Sequence, residues 1–575
     1  MRHRSIPRFT VPLIVAALGL VFFVAATILE ATHPAPVRGT GGAVASAAPS
    51  ATEAGLEVLR SGGNAADAAV ATALALAVVH PEAGNLGGGG FAVVRFDGEL
   101  NSLDFRETAP AAATHDMYLD GDGEPRPDAS LVGPLAAGVP GSPAGLHELH
   151  RKYGRLPWPQ VVAPSIRLAR DGFVVTGRLN RSIAVKSELL AGFDETAEVW
   201  LPNGQPPPVG TTMRLPELAA TLEAYAGRGP AAITEGPLAA AVELISRRYG
   251  GVLRAADLAS YSPVWRKPVR FSAFGWEVAS MPLPSSGGII VGETCELLER
   301  MDWQESPRFG ADRAHLLAEV WRRAYADRVL LGDPRTSLAD TPQLLDSEWL
   351  DRRAREIRRR KATSSEDVRA WSRKRSKESD ETTHLSVVDG DGNAVALTTT
   401  LNGSFGCGLL VPAAGFLLNN EMDDFATAPG RPNYYGLVQG EANSVGPGKR
   451  MLSSMAPTIA WRGRRVIVLG SPGGSRIPTA TVQVLLALIV DGDQLQAAVD
   501  RPRIHHQWMP DQLIAEVDAL SPETAKELER RGHEIGVRMK IGEVHAVWGW
   551  PGDVLEAAQD PRGPGAAGVV RPTIN

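Results

Sequence analysis

Hydrophobic positions along this chain follow three patterns. The longest apolar stretch is FTVPLIVAALGLVFFVAATIL, Phe9–Leu29, which carries no charge and follows Arg2, Arg4 and Arg8. It reads as an export signal or a single membrane anchor. The positive flank places the body of the chain outside the cytoplasm in both cases. A second apolar run, NAADAAVATALALAVVH at Asn64–His80, is shorter and rich in alanine. It predicts a helix buried against a sheet, preceded by a helix in ATEAGLEVLRSGG that stops at Gly62 and Gly63. Further helices are predicted in PSIRLARDGF, in RLPELAATLEAYAGRGP from Arg214, and as an amphipathic helix in HLLAEVWRRAYADRVLLGDP, His315–Pro334. Short strands are predicted in FAVVRF and LNSLDF. From Thr382 onward the texture is strand-rich: HLSVV, NAVALTTT, GFLLNN, APTIAW and RVIVLG, then helices at Thr479–Val490 and Ser521–Arg531. Strands bracketed by helices predict a layered α/β body.

With 575 residues, 44% hydrophobic and 22% charged, the chain is long enough for a substantial core and several domains. The formal charge of −6 argues against a nucleic-acid partner, which calls for a basic footprint. Two cysteines, Cys295 and Cys407, set neither a disulfide framework nor a metal cluster; two buried thiols and one bridge between them both fit. The segment Trp349–Ser379 is densely charged and reads as a solvated helix and linker.

The candidate chemistry sits where that linker ends. ETTHLSVVDGDGNAVALTTTLN, Glu381–Asn402, reads as a hairpin with its turn at Asp389, Gly390, Asp391 and Gly392. Pairing the strands about Asp391 sets Thr382 opposite Thr400. The period of two puts Thr382, His384 and Ser386 on one face and Thr383, Leu385 and Val387 on the other. A threonine hydroxyl is a poor nucleophile until a base takes its proton, and a free α-amine on the same residue can serve. A cut before Thr382 would create one. The glycines Gly87–Gly90 lack the GK[ST] of a phosphate loop and predict close backbone packing near a site instead.

Several segments in order resemble the gamma-glutamyltranspeptidase (glutathione hydrolase) family. They are GNLGGGGF at Gly84–Phe91, DFRETAP at Asp104–Pro110 and MPLPSSGG at Met281–Gly288, then TTHLSVVD at Thr382–Asp389, LLNNEMDDF at Leu417–Phe425, LSSMAPT at Leu452–Thr458 and GSPGGSRI at Gly470–Ile477. The resemblance implies a four-layer αββα sandwich of the N-terminal-nucleophile hydrolase type, built from two subunits cut from one precursor. Residues 1–30 would be the signal peptide or anchor, 31–45 a tether, 46–381 the large subunit and 382–575 the small subunit. The cut would fall between Glu381 and Thr382.

The resemblance also implies roles. Thr382 would be the nucleophile, Thr400 its hydrogen-bonding partner, and the amides of Gly473 and Gly474 the oxyanion hole. Arg106 would bind the donor α-carboxylate, helped by Ser453 and Ser454. Asn402, Glu421 and Asp424 would bind the donor ammonium. Tyr435 would tip a lid over the site. Position 421 is Glu, where better-known bacterial members carry Gln and animal members Glu. No cofactor and no metal are implied. The implied substrates are glutathione and other γ-glutamyl compounds, with water, amino acids or peptides as acceptors, in a periplasmic, secreted or membrane-anchored setting through residues 9–29. Alternatives on the same scaffold are a cephalosporin or glutaryl acylase and a poly-γ-glutamate hydrolase. The non-enzyme alternative is an inactive anchored binding protein, whose signature would be loss of Thr382, Thr400 or the glycine pair; all are present.

Overall fold

The computed structural model describes residues 35–369, 381–426 and 440–571. The apolar stretch Phe9–Leu29, the far end of the charged linker and Tyr435 lie outside the described residues. Two seven-stranded sheets dominate. In chain order their strands are β1 (Val37–Gly39), β2 (Gly42–Ser46), β3 (Gly89–Phe96), β4 (Glu99–Phe105), β5 (Val264–Arg266), β6 (Val269–Ala273), β7 (Trp276–Ser280), β8 (Glu381–Asp389), β9 (Ala394–Asn402), β10 (Thr458–Arg462), β11 (Arg465–Gly470), β12 (His545–Gly549), β13 (Leu555–Ala558) and β14 (Ala566–Val569). One sheet runs β14–β2–β8–β9–β3–β4–β5, the other β1–β13–β12–β11–β10–β7–β6. The hairpin β8–β9 therefore lies at the centre of its sheet.

The sheets stack face to face, with β8 against β11 and β12. Helices α1 (Pro49–Arg60) and α2 (Ala65–Val79) cover the outer face of the first sheet. Helices α3 (Gly287–Arg300), α4 (Ala311–Asp327) and α5 (Ile477–Ile489) belong to the core on the side of the second. The layer order is thus α–β–β–α. Along β8, Leu385 and Val387 point into the core beneath α1 and α2, whereas Val388 points between the sheets. That alternation follows from the pleat.

Local chemistry accounts for the central elements. Helix α2 is buried from Ala65 to Val78, as its composition predicts, because alanines allow close approach on every side. Asn64 caps it in a box with Asp67. Asp389 binds the hairpin turn to it: its carboxylate accepts from the amides of Asp391 at 3.0 Å, Asn393 at 2.9 Å and Ala65 at 3.0 Å. Of the four turn residues only Gly392 takes a positive φ, +93°. The predicted register holds from Thr383↔Thr399 to Val388↔Ala394.

Three expectations need correction. Helix α4 is not amphipathic towards solvent: Arg313 to Asp327 are all buried. Its charges are internally paired, Glu319 with Arg322 and Arg323, and Arg313 with Asp491, so the polar stripe faces other chain segments instead of water. In the charged run after Trp349, Arg353 is likewise buried on Asp327. GFLLNN contributes only the two-residue strand Phe416–Leu417, because Asn419 and Asn420 turn their amides onto neighbouring main chain. The two cysteines are separate buried thiols.

Candidate active site

The two sheets deliver four loops to one end. Strand β8 enters there, and its pairing with β9 is irregular between Glu381 and Thr383, so Thr382 sits at a bulge where the ladder shifts by one residue. Bulges re-aim a side chain. Asn402 closes β9 in the left-handed region, with φ +69°, a conformation Asn tolerates better than most residues. Its amide N–H₂ donates to Asn420 O at 2.9 Å, and its backbone N–H donates to Thr400 Oγ1 at 2.8 Å. Glu421–Asp424 form a 3₁₀ turn, Arg106 follows β4, Ser453 and Ser454 precede β10, and Gly473 and Gly474 follow β11.

One narrow cleft is lined by Thr382, Thr400, Arg106, Asn402, Glu421, Asp424, Ser453, Ser454 and Gly474, with Met455 and Ile477 completing its wall. The structure thus brings these nine sequence-predicted residues together, with Gly473 directly preceding Gly474. Met455 and Ile477 escaped the sequence reading because an apolar residue beside a motif looks the same whether it packs a core or a substrate. A larger apolar cavity under Trp303 and Leu317 lies elsewhere and brings none of these groups together.

The charges in the cleft are arranged differently from the reading of one cation and a separate anion set. Arg106 is fully buried, and its two terminal nitrogens hydrogen-bond Glu421 and Asp424. Glu107, missed in sequence although it stands in DFRETAP, lies 3.8 Å from the same guanidinium. Burial opposes the charge on Arg106, but the carboxylates of Glu421 and Asp424 outweigh it and hold the group firmly cationic. Arg106 alone cannot satisfy three buried acids. Burial therefore raises the carboxyls of Glu421 and Asp424 above the usual range, and that of Glu107 to about 7. Asp423, next in the turn, points away and accepts from Ser130 Oγ at 2.6 Å.

The surroundings hold this geometry. Asn85 donates to Thr400 O at 2.8 Å and to Thr399 Oγ1 at 3.1 Å, which makes Thr399 a structural neighbour. The glycine run packs main chain on main chain: a Cβ at Gly88 would lie 2.2 Å from Thr400 O. His384, two residues from Thr382, is no candidate base. Its ring nitrogens meet Thr398 Oγ1 at 2.8 Å and Ser386 Oγ at 3.0 Å, and burial holds it well below the ordinary histidine range. Gly473 and Gly474 take φ of +128° and +56° and lead into α5, whose N-terminus favours negative charge. Among the described residues one group has metal-like spacing, His315, Glu319 and His533. Both oxygens of Glu319 are already engaged, by Arg322, by Arg323 at 2.9 Å and by Thr363 Oγ1 at 2.6 Å, so the cluster reads as a buried ion-pair network.

The chain is similar to known proteins over most of its length. The family model described as gamma-glutamyltranspeptidase matches residues 51–570. The glutathione hydrolase proenzyme of Escherichia coli (strain K12) is 43% identical over 531 residues, covering 92% of this chain and 91% of that one. The glutathione hydrolase proenzyme of Pseudomonas aeruginosa is 41% identical over 540 residues, covering 92% and 95%. Among solved structures, a cephalosporin acylase from Bacillus halodurans superposes with a TM-score of 0.82 at 28% identity, covering 94% of this chain and 98% of that one.

Proposed function

The chain belongs to the gamma-glutamyltranspeptidase family, and from that premise we propose that Thr382 is its nucleophile, released by a cut between Glu381 and Thr382. The enzyme is a γ-glutamyl hydrolase and transferase. Residues 46–381 and 382–575 are its two subunits, acting outside the cytoplasm on glutathione and related γ-glutamyl donors. The Thr382 hydroxyl attacks the γ-carbonyl, and its own α-amine takes the proton. Thr400 orients the nucleophile, and the amides of Gly473 and Gly474 meet the developing oxyanion. The amine leaves with a proton, and a γ-glutamyl ester remains on Thr382. Water or the amine of an amino acid or peptide then releases it.

The observation that carries the donor assignment is the buried set Arg106, Glu421 and Asp424 in the same cleft as Thr382. A guanidinium held by two carboxylates sets cationic and anionic groups side by side, which matches the two charges of an α-amino acid. The donor carboxylate takes over the guanidinium fork, Ser453 and Ser454 support it, and the ammonium takes over the freed acids with the Asn402 amide oxygen. After the exchange Arg106 pairs with the donor carboxylate, and Glu421 and Asp424 share the donor ammonium.

The acylase structure favours a second reading, removal of a glutaryl-type acyl group. Such a group has no ammonium. It would occupy Arg106 and leave Glu421 and Asp424 facing a methylene, at a desolvation cost. We therefore expect a preference for γ-glutamyl over glutaryl anilide of well over roughly tenfold in kcat/KM. Glu421→Ala and Asp424→Ala should shrink that ratio by weakening the γ-glutamyl side. Equal rates on both donors in the unmodified enzyme would transfer the assignment to the acylases.

Arg106→Lys tests the carboxylate side. Lysine keeps the charge and loses the fork. A fall of roughly 10–100-fold in kcat/KM is expected, about 1.4–2.7 kcal/mol. Cutting before Thr382 should stay near normal, because that step uses no donor carboxylate. Unchanged kinetics on γ-glutamyl anilide would remove Arg106 from the donor site.

A further inference from the structure

Two serine pairs meet at the wall of the cleft. Ser285 and Ser286 come from MPLPSSGG, and Ser453 and Ser454 from LSSMAPT. They run side by side as a parallel bridge, Ser285↔Ser453. Ser453 N donates to Pro284 O at 2.8 Å, and Ser286 N donates back to Ser453 O at 2.8 Å. The Ser286 hydroxyl donates to the same Ser453 carbonyl at 2.8 Å, while the Ser285 hydroxyl donates to Met455 O at 2.6 Å. All four serines are buried.

Behind Ser286 stands Arg328, in the turn that follows α4 and itself only 3% exposed. Its Nε donates to Ser286 Oγ at 3.0 Å. A guanidinium has no acceptor. Ser286 Oγ must therefore accept from Arg328, which leaves its single proton for the Ser453 carbonyl. The relay has one direction, from Arg328 through Ser286 to the Ser453 main chain, and a charged donor strengthens the bond beyond it. Arg328 and Asp424 also feel each other's charge; burial lowers the guanidinium to about 10, still cationic at neutral pH. A second cation has a physical use here. A donor brings a fourth acid to a region already holding Glu107, Glu421 and Asp424 around Arg106.

We propose that Arg328 and Ser286 are positioning residues for the donor α-carboxylate, holding the main chain of Ser453 and Ser454 so that both hydroxyls meet it together with Arg106. The proposal rests on the donor reading above. It assigns a task to the serines of MPLPSSGG and to a helix-end arginine, and neither lines the cleft.

The test compares two donors on the cut enzyme. One is γ-glutamyl-p-nitroanilide. The other is 4-aminobutyryl-p-nitroanilide, the same acyl chain without the α-carboxylate. Ser286→Ala and Arg328→Gln should each lower the ratio of the two kcat/KM values, by about tenfold for a lost charge-assisted hydrogen-bond path. Only the carboxylate-bearing donor should lose rate. A brace that merely stiffens the fold would slow both donors together, and an unchanged ratio in Ser286→Ala overturns the proposal. Arg106→Lys in the same assay separates the layers. If it leaves the ratio unmoved, the donor reading itself fails. If it collapses the ratio while Ser286→Ala does not, only the relay fails. Should Arg328→Gln not fold or cut, Ser286→Ala decides, because it removes one hydroxyl and little volume.

Discussion

Thr382→Ala is expected to leave one uncut chain with no measurable γ-glutamyl transfer. The side chain is buried, at 6% exposure, and lies at the bulge that begins β8. Alanine fits that space and keeps the strand, so folding should survive. The hydroxyl is what both proposed steps need, first on the Glu381 carbonyl and then on the donor. Removing a nucleophile that works as a unit with its base costs at least about 10⁴-fold in kcat. Intact mass and N-terminal sequencing read the cut, and anilide release reads the chemistry. An active single chain, or a Thr382→Ala protein that still cuts before residue 382, would sink the mechanism.

Gly473→Ala is expected to cost roughly 10²–10³-fold in kcat, the range seen when one oxyanion donor is lost. The reason is conformational. The residue's φ of +128° lies where side-chain-bearing residues are strained. An added Cβ would sit 3.4 Å from Gly542 Cα, ordinary contact, so packing is not the obstacle. Relief of strain rotates the peptide and moves the Gly473 and Gly474 amides off the oxyanion position. KM should change little, since the donor's charged end binds elsewhere in the cleft. A variant with unchanged kcat and a normal melting temperature would move the oxyanion site away from these glycines.

The positioning of these groups combines legible and illegible parts. The hairpin register was legible because alternation and an Asp/Gly turn are local: counting about Asp391 suffices to pair Thr383 with Thr399. Burial of α2 was legible from its alanines, and the packing role of the Gly87–Gly90 run from the absence of side chains. The bulge at Thr382 was not legible, because it depends on how the strand leaves the sheet. Nor was the burial of α4, whose charges look solvated until Asp491 supplies a partner from far along the chain.

Side-chain period, helix composition and turn chemistry act over a few neighbouring residues, and they made most of the elements and the central hairpin legible; the site residues came from the family resemblance. Only the tertiary structure decided that Arg106 is held by Glu421 and Asp424, partners 315 and 318 residues away. The same holds for Arg328, which reaches Ser453 through Ser286. Pairing of buried charge depends on which loops the stacked sheets bring to one end, and Coulomb attraction and desolvation act through space, so no local pattern along the chain records them.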